Sequence, residues 1–326
     1  MSKRIAAIVW APQEERTASF ARHLQADLHN IHYLLYKRPF VAPFKYVLQS
    51  IKTWQVLLRD RPDVIYVTNP PVFAALNVML YTRVSRAAFI MDTHPPSLYS
   101  KKWGWTTPLQ RFVSRFALVN VLDQKRYADL FEAWGSPALV LPNPLDRIEA
   151  PAGLNGQGET FDVAVVNTFA EDEPLAPILE AAADLPGVRF LITGDLAKAK
   201  PGTVENAPPN AQFVGYLRGD DYWNMLHGAN AVMALTTFPY SLLGAGTDGV
   251  RVGKPLILSD QPVLRDFFTS GTVFVPNTAE GIMQGVRQAR AEEAVLTEGI
   301  HRLIDEKQHE WETNFADLLA RIEAIT

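Results

Sequence analysis

The sequence predicts an α/β protein built as two doubly wound parallel sheets in tandem. Three observations lead there. Short apolar runs of strand length alternate with helix-length segments along the whole chain, the pattern of a parallel sheet with helices on both faces. The alternation halts once, at the Gly-, Pro- and Ala-rich stretch from Ala150 to Thr160, and then restarts. The strand runs of both halves end in polar, turn-forming residues, and ligands of such sheets bind beyond the carboxyl ends of the strands. Two Rossmann-like domains, with a cleft between them to hold the ligand, follow as the expectation.

The first half reads in order. Arg4 to Trp10 is a buried strand by length and flanks. A loop from Ala11 to Thr17 leads to a helix ending near Leu28. His32 to Tyr36 reads as the second strand, and Pro39 to Pro43 breaks the chain. Phe44 to Arg59 is helical, with Val47, Ile51, Trp54, Leu57 and Leu58 on its apolar face and Lys45, Lys52 and Arg59 elsewhere. Asp63 to Thr68 is a strand, Val72 to Val84 a helix, and Ala87 to Asp92 a strand that runs into Thr93-His94-Pro95-Pro96. A helix from Pro108, a strand over Leu118 to Leu122, a helix from Gln124 and a strand over Ala138 to Leu141 complete this half.

The second half follows the same rule. Strands are expected at Phe161 to Val166, Val188 to Thr193, Ala211 to Val214, Ala231 to Leu235, Leu256 to Leu258 and Thr272 to Val275. Helices are expected at Pro174 to Asp184, Asp220 to Gly228, Asp248 to Val252, Thr278 to Ala291 and Glu292 to Ile325. The domains are drawn at 1–146 and 161–308, with a linker over 147–160 and a closing helix over 309–326 that returns to the first domain.

Composition narrows the function. With no cysteine in the chain, disulfides and thiolate chemistry are excluded. The first residues lack the apolar run of a signal peptide, and no stretch has the length of a membrane span. A cytoplasmic protein, peripheral at the inner face of the membrane, is the expectation. The net charge of −4 hides an asymmetry. Residues 1–150 hold 19 Lys and Arg against 11 Asp and Glu, net +8, so the remainder is net −12. A basic first half suggests an anionic partner such as a membrane surface; complementary domain faces are the alternative. Lys101-Lys102-Trp103-Gly104-Trp105 mixes bases and aromatics, which fits a membrane interface, an acceptor cleft or a plain surface loop. No aromatic-basic pattern of base stacking is present, so nucleic acid is not expected as a partner. Glu171-Asp172-Glu173 and the histidines lack a recognisable ligand spacing, and no metal is expected.

The stretch from Thr236 to Asp260 carries the densest chemistry. A Gly-bearing loop, Leu243 to Thr247, precedes a short helix. Glycines let backbone approach a ligand, and a helix start offers unpaired amides to a phosphate. Asp248 can accept hydrogen bonds from sugar hydroxyls. Taken with its neighbours, this stretch sits in a recognisable order. Val140 to Asp146 reads VLPNPLD, Phe190 to Asp195 reads FLITGD, Asn210 to Tyr216 reads NAQFVGY, Leu226 to Leu235 reads LHGANAVMAL and Asp248 to Ile257 reads DGVRVGKPLI, with Trp311 before the final helix. In order and spacing these segments resemble the GT-B glycosyltransferases, in particular the retaining group called family 4, over nearly the whole chain.

The resemblance implies two domains of GT-B architecture, no metal, no cofactor, and retention of configuration. A UDP- or GDP-linked sugar would be the donor, and a glycan or lipid-linked molecule the acceptor. It implies that Asp248 takes the donor ribose hydroxyls and that Gly244, Gly246 and Thr247 present amides to the phosphates. Asn167, Thr168, Thr193 and Gly194 would line the donor, with Tyr216 near the base. His94 matches the histidine facing the reacting sugar, and Asp92 would orient it or act as a base. Arg16 and Thr17 stand in the loop where the family binds acceptor or phosphate. Three departures mark this chain. Tyr240 stands where the family has a glutamate, Asp248 replaces its second glutamate, and the loop Asn167 to Glu173 carries neither the Arg nor the Lys that neutralise the diphosphate. Arg218 and Arg251 are the candidate replacements. A GT-B-like sugar-nucleotide epimerase and a catalytically silent nucleotide-sugar-binding protein are the alternatives.

Overall fold

The computed structural model of the protein describes residues 3–33, 42–151 and 160–325. The chain divides into two compact units, Met1–Asn143 with Glu310–Thr326, and Pro144–His309. Among the described residues no helix is long and apolar enough to cross a membrane.

The first unit is built on six strands: β1 (Ile5–Val9), β2 (Asp27–Asn30), β3 (Val64–Asn69), β4 (Ala88–Thr93), β5 (Val119–Leu122) and β6 (Ala138–Val140). They lie in the order β2-β1-β3-β4-β5-β6, and every neighbouring pair is parallel. Its helices are α1 (Glu15–His23), α2 (Ala42–Asp60), α3 (Val72–Val84), α4 (Pro96–Tyr99), α5 (Thr107–Ser114) and α6 (Lys125–Ala133). Both sheet faces are covered, which is why β1 and most of β3 and β4 read as apolar runs. Ile8, Ile65, Val67, Phe89 and Met91 enter one core with Val78 and Phe131. Ala7, Val64, Tyr66, Ile90 and Val121 enter the other with Phe20.

The second unit holds β7 (Phe161–Val165), β8 (Val188–Thr193), β9 (Ala211–Gly215), β10 (Ala231–Ala234), β11 (Leu256–Ser259) and β12 (Thr272–Val275) in the order β12-β11-β10-β7-β8-β9, again all parallel. Helices α7 (Leu175–Ala183), α8 (Asp220–Gly228), α9 (Gly244–Arg251), α10 (Pro262–Phe267), α11 (Ala279–Ala291) and α12 (Glu293–Glu323) cover it. From Glu310 onward α12 belongs to the first unit. There Trp311, Leu318 and Ile322 join the core of Phe20 and Tyr66, and the Trp311 indole donates to the Pro142 carbonyl at 3.0 Å.

Several elements differ from the sequence reading. Helix α1 stops at His23, because Gln25 takes a positive φ of 52° and turns the chain. The second strand is Asp27–Asn30, not His32 to Tyr36; of that expected strand, residues 34–36 lie outside the described residues. An edge strand pairs on one side only, so its polar sequence sits mostly in solvent and carries no apolar signal. Of the expected break over Pro39 to Pro43, residues 39–41 lie outside the described residues, and α2 starts at Ala42. Most of the expected linker, residues 152–159, also lies outside them. Arg147 and Ile148 are bonded into the second unit, to Asp305 and to the Arg251 carbonyl. The short helices α4 and α10 were not expected.

Helix α2 is the instructive case. Its expected apolar face is only partly the core face. Leu57 is buried, but Val47, Ile51 and Leu58 are exposed, while Gln49 and Thr53 are buried. The Gln49 amide donates to the Ile31 carbonyl at 2.7 Å, and the Trp10 indole donates to the Thr53 hydroxyl at 3.0 Å. These bonds satisfy the Gln49 amide nitrogen, the Trp10 indole and the Thr53 hydroxyl, which would otherwise be costly inside.

Because the end of α12 fills the core beside α1, Trp311→Ala should lower unfolding free energy by about 3–5 kcal/mol, as for other buried aromatics. A urea midpoint unchanged from wild type would show that Trp311 does not support this core.

Candidate active site at the strand ends

In the first unit the carboxyl ends of β3, β4 and β5 gather a charged cluster. Asp92 near the end of β4 is wholly buried. Its oxygens accept from Nε of Arg16 at 3.0 and 3.1 Å, and Nε2 of His94 stands 3.2 Å from Oδ2. Arg16 lies in the first turn of α1 and is itself buried. Its Nη1 donates to the Asn143 side chain at 2.9 Å and its Nη2 to the Leu141 carbonyl at 2.7 Å. The guanidinium therefore points inward and holds Asp92, rather than reaching from a surface loop toward an acceptor. Thr17 is turned inward too. Its amide and hydroxyl bond the Glu14 carboxylate, and its hydroxyl lies 2.6 Å from that of Thr68. Glu14 thus caps α1 with its own side chain.

The charges are strongly coupled. Burial works against the Asp92 carboxylate, but Arg16 and His94 outweigh it and hold it down to about 2. Burial also works against the His94 imidazolium, and Asp92 outweighs it, so the His94 pKa is raised. Sequence reasoning missed Asp123, which follows β5 at the same sheet end; a strand ending in an acid, as β4 does, was the available signal. Burial is the main cause pushing its carboxyl up to about 6, against the opposing pull of Arg16 and His94. Its Oδ1 is buried without a hydrogen-bond partner. One site thus holds an acid held down to about 2, a histidine whose pKa is raised and a carboxyl pushed up to about 6, the kind of separation that distinguishes proton donors from acceptors.

In the second unit the switch in strand order falls between β7 and β10. Asn167 follows β7 and is buried; its amide donates to the Thr193 hydroxyl at 3.0 Å and its side chain accepts from the Phe169 amide at 2.8 Å. Gly194 has φ 133°, and a Cβ there would stand 2.5 Å from the Phe169 ring, so only glycine fits. Thr168 is bonded to Glu173 through both its amide, at 2.6 Å, and its hydroxyl, at 3.0 Å; the Ala170 amide joins at 3.2 Å. A carboxylate of the chain itself therefore occupies the loop where the resembling family carries its bases. Past β9, Tyr216 is 60% exposed and Arg218 lies over its ring at 4.9 Å, an open stacking surface rather than core.

Helix α9 starts at Gly244, four residues ahead of the expected start at Asp248. Close packing explains the glycines inside it: a Cβ on Gly246 would meet the Phe268 ring at 2.8 Å, and one on Gly249 would meet Leu256 at 2.4 Å. The Gly246 and Thr247 amides are already bonded to the Leu243 carbonyl, at 3.0 and 3.2 Å. The first turn's open amides are those of Gly244 and Ala245, and nothing lies within 4 Å of a Cβ built on Gly244. Asp248 stands one turn in. It accepts from the Tyr222 hydroxyl at 2.9 Å, with Arg251 Nη1 at 3.6 Å. Tyr222, on α8, carried no sequence signal. Arg251 also donates to the Asp146 carbonyl at 3.1 Å, which leaves Arg218 as the outward cation of the two. Tyr240 packs edge-on against Phe238 and is partly exposed. Among the described residues no group of three or more His, Asp or Glu side chains is placed to hold a metal ion.

Breaking the buried pair by Arg16→Ala leaves Asp92 charged and unmatched, and should cost about 3–5 kcal/mol in chemical denaturation. Asp123 has a folded pKa above its unfolded one, so its favourable contribution is present below about pH 4 and lost as pH rises through about 6. Asp123→Asn should accordingly raise stability at pH 8 by up to about 3 kcal/mol and leave it unchanged at pH 4. Equal effects at both pH values would contradict this assignment.

No family model matches the chain. No curated protein sequence matches it either. Solved structures do. HepE from Anabaena in complex with UDP superposes with a TM-score of 0.69 at 12% identity, over 98% of this chain and 100% of that one. A glycosyltransferase from Rickettsia africae gives a TM-score of 0.69 at 13% identity, over 99% and 90%. Sucrose-phosphate synthase from Thermosynechococcus elongatus gives 0.67 at 14% identity, over 90% and 83%. With its two six-stranded parallel sheets, the chain has the GT-B fold.

Proposed function

We propose that the protein is a glycosyltransferase that moves a sugar from a UDP- or GDP-linked donor to a glycan or lipid-linked hydroxyl, with retention of configuration, in polysaccharide or cell-envelope synthesis. The observation that carries this reading is the end-to-end likeness to HepE, which is solved with UDP, with UDP and glucose, and with UDP-glucose. The polar strand ends of both units supply chemistry suited to it.

The second unit takes the donor. Tyr216 and Arg218 offer a face for the base, and the Gly244 and Ala245 amides suit the diphosphate oxygens. Asp248, held by Tyr222, accepts from the ribose hydroxyls. Asn167, Thr193 and Gly194 shape the strand-end wall, and Thr168 stiffens the loop through Glu173. In the first unit His94, whose pKa Asp92 raises, donates to the reacting sugar; Arg16 and Thr17 act by fixing Asp92 and the start of α1. In the reaction the acceptor oxygen bonds the anomeric carbon, the bond from that carbon to the diphosphate oxygen breaks, and the hydroxyl proton passes to the departing diphosphate. Positioning and stabilisation of the departing charge do the work, without a metal or cofactor in the scheme.

One observation favours a second reading. Glu173 fills the loop amides where the resembling family places cations, which suits a protein that binds the donor and turns nothing over.

Two measurements separate these. A thermal-shift panel of UDP, GDP and their sugars should show one nucleotide stabilising the protein by about 2.7 kcal/mol at a hundredfold excess over Kd; a flat panel sinks both readings. Asp248→Ala should weaken that nucleotide about ten- to a hundredfold. His94→Ala should leave donor binding intact and lower release of nucleoside diphosphate by about 10²–10⁴. Binding without release in the wild type selects the silent binder.

A further inference from the structure

We propose that the face formed by α2, α3 and α5 of the first unit docks on an anionic lipid bilayer. The argument starts from the orientation of α2. Phe44, Val47, Leu48, Ile51 and Leu58 fall at helical spacing on one side, and that side faces solvent, with Phe44 77% exposed. The opposite side, which enters the core, carries Gln49 and Thr53 beside Val56 and Leu57. A surface helix normally does the reverse.

The stripe is not isolated. Tyr46 stacks near Phe73 at 5.3 Å and Phe73 lies 6.3 Å from Trp105, joining the first turns of α2 and α3 to the segment ahead of α5. Further along, Trp54 meets Tyr81 at 5.9 Å and Arg83 lies over Phe116 at 4.0 Å. The three elements therefore run side by side as one layer. Exposed apolar side chains continue across it: Leu80 and Val84 on α3, Phe112 on α5 with Phe116 just past its end, and Trp105, which is 69% exposed. A groove of about 340 Å³, lined by Val47, Ile51, Phe73 and Leu76 among others, lies between α2 and α3. Exposed apolar side chains grouped in this way mark interaction surfaces.

Charge selects the occupant. From Phe44 to Phe116 the chain carries ten Lys and Arg against three acids, Asp60, Asp63 and Asp92. Each acid is already engaged, Asp60 by Arg59, Asp63 by the Arg4 amide, and Asp92 by Arg16 inside the unit. Lys52, Arg83, Arg86, Lys102, Arg111 and Arg115 are exposed around the apolar residues. Apolar and aromatic side chains framed by long basic ones match a headgroup layer: rings and aliphatics enter the acyl boundary, and lysine and arginine stems reach back to lipid phosphates. A protein partner of ordinary composition would not call for so one-sided a charge. The Trp105 segment follows His94 by eleven residues, so the layer begins beside the strand ends that hold the charged cluster.

The test is sedimentation with vesicles of phosphatidylcholine alone and of equal phosphatidylcholine and phosphatidylglycerol, without nucleotide, so that its outcome is independent of the donor reading. The wild-type chain should bind the phosphatidylglycerol vesicles and lose at least tenfold in partitioning between 0.1 and 1 M salt, as screening shortens from about 10 to 3 Å. Lys45→Ala with Lys52→Ala should weaken binding about 25-fold, at ~1 kcal/mol per charge. Val47→Glu with Ile51→Glu should abolish it while circular dichroism stays that of the wild type. The salt response of the wild type stands even if that variant fails to fold. Equal binding to both vesicle types, or none, overturns the proposal. So does a concentration-dependent dimer that Ile51→Glu dissociates, because a second copy would then be what covers the stripe.

Discussion

The first unit depends on keeping one carboxylate ionised where water is excluded. Asp92 is wholly buried, and an unmatched charge there would cost several kcal/mol. Arg16 removes that cost only because its own guanidinium is satisfied on three sides, by Asp92, Asn143 and the Leu141 carbonyl. The pair therefore joins α1, β4 and the turn after β6, three elements far apart in sequence. It also sets the chemistry of the neighbours. Asp92 raises the His94 pKa, and it adds to the burial that stops Asp123 from ionising early. A change at Arg16 would reach all three groups at once.

The second unit solves a related problem with backbone. Loops beyond strand ends expose amides that need partners, and this chain supplies them from its own acids. Glu173 accepts from Thr168 and Ala170, Asp172 accepts from the Thr236 hydroxyl, and in the first unit Glu14 accepts from the first turn of α1. Carboxylates thereby stand where an incoming anion would otherwise find donors. At the start of α9, by contrast, the Leu243 cap offers no side-chain bond and the Gly244 surroundings are open. If a diphosphate is held by main chain in this unit, the open amides of Gly244 and Ala245 are suited to it.

The central strands were legible because both sheet faces are buried, which writes a continuous apolar run into the sequence. The edge strand β2 was not legible, since DLHN pairs on one side and needs no apolar residue. The start of α9 was misplaced for a different reason. Glycine is a poor helix former, yet Gly246 and Gly249 are in the helix because Phe268 and Leu256 leave no room for a side chain; tertiary packing overrode propensity. Among site residues, Asp92, His94 and Asp248 were visible as polar residues at strand ends or beside the glycine loop. Arg16 was visible as a residue but not as a partner of Asp92, 76 positions away. Tyr222 and Asp123 act through neighbours that only the fold supplies.

Helix α2 shows why an amphipathic pattern fixes a helix but not its facing. Its two candidate core sides compete. Turning Val47, Leu48, Ile51 and Leu58 inward would each gain roughly 1.5–3 kcal/mol of burial. The observed side instead buries Val56 and Leu57, lets Trp54 bond Asn77, and matches Gln49 and Thr53 to Ile31 and Trp10. Those bonds are geometric and admit one orientation, whereas the outer stripe fits any apolar surface. A sequence selected only for the stability of this unit would hold polar residues at the outer positions at no cost to the inner ones. Leucine, isoleucine and phenylalanine there, ringed by lysine and arginine and lacking an unengaged acid, are what a helix acquires when its outer side works against something other than water.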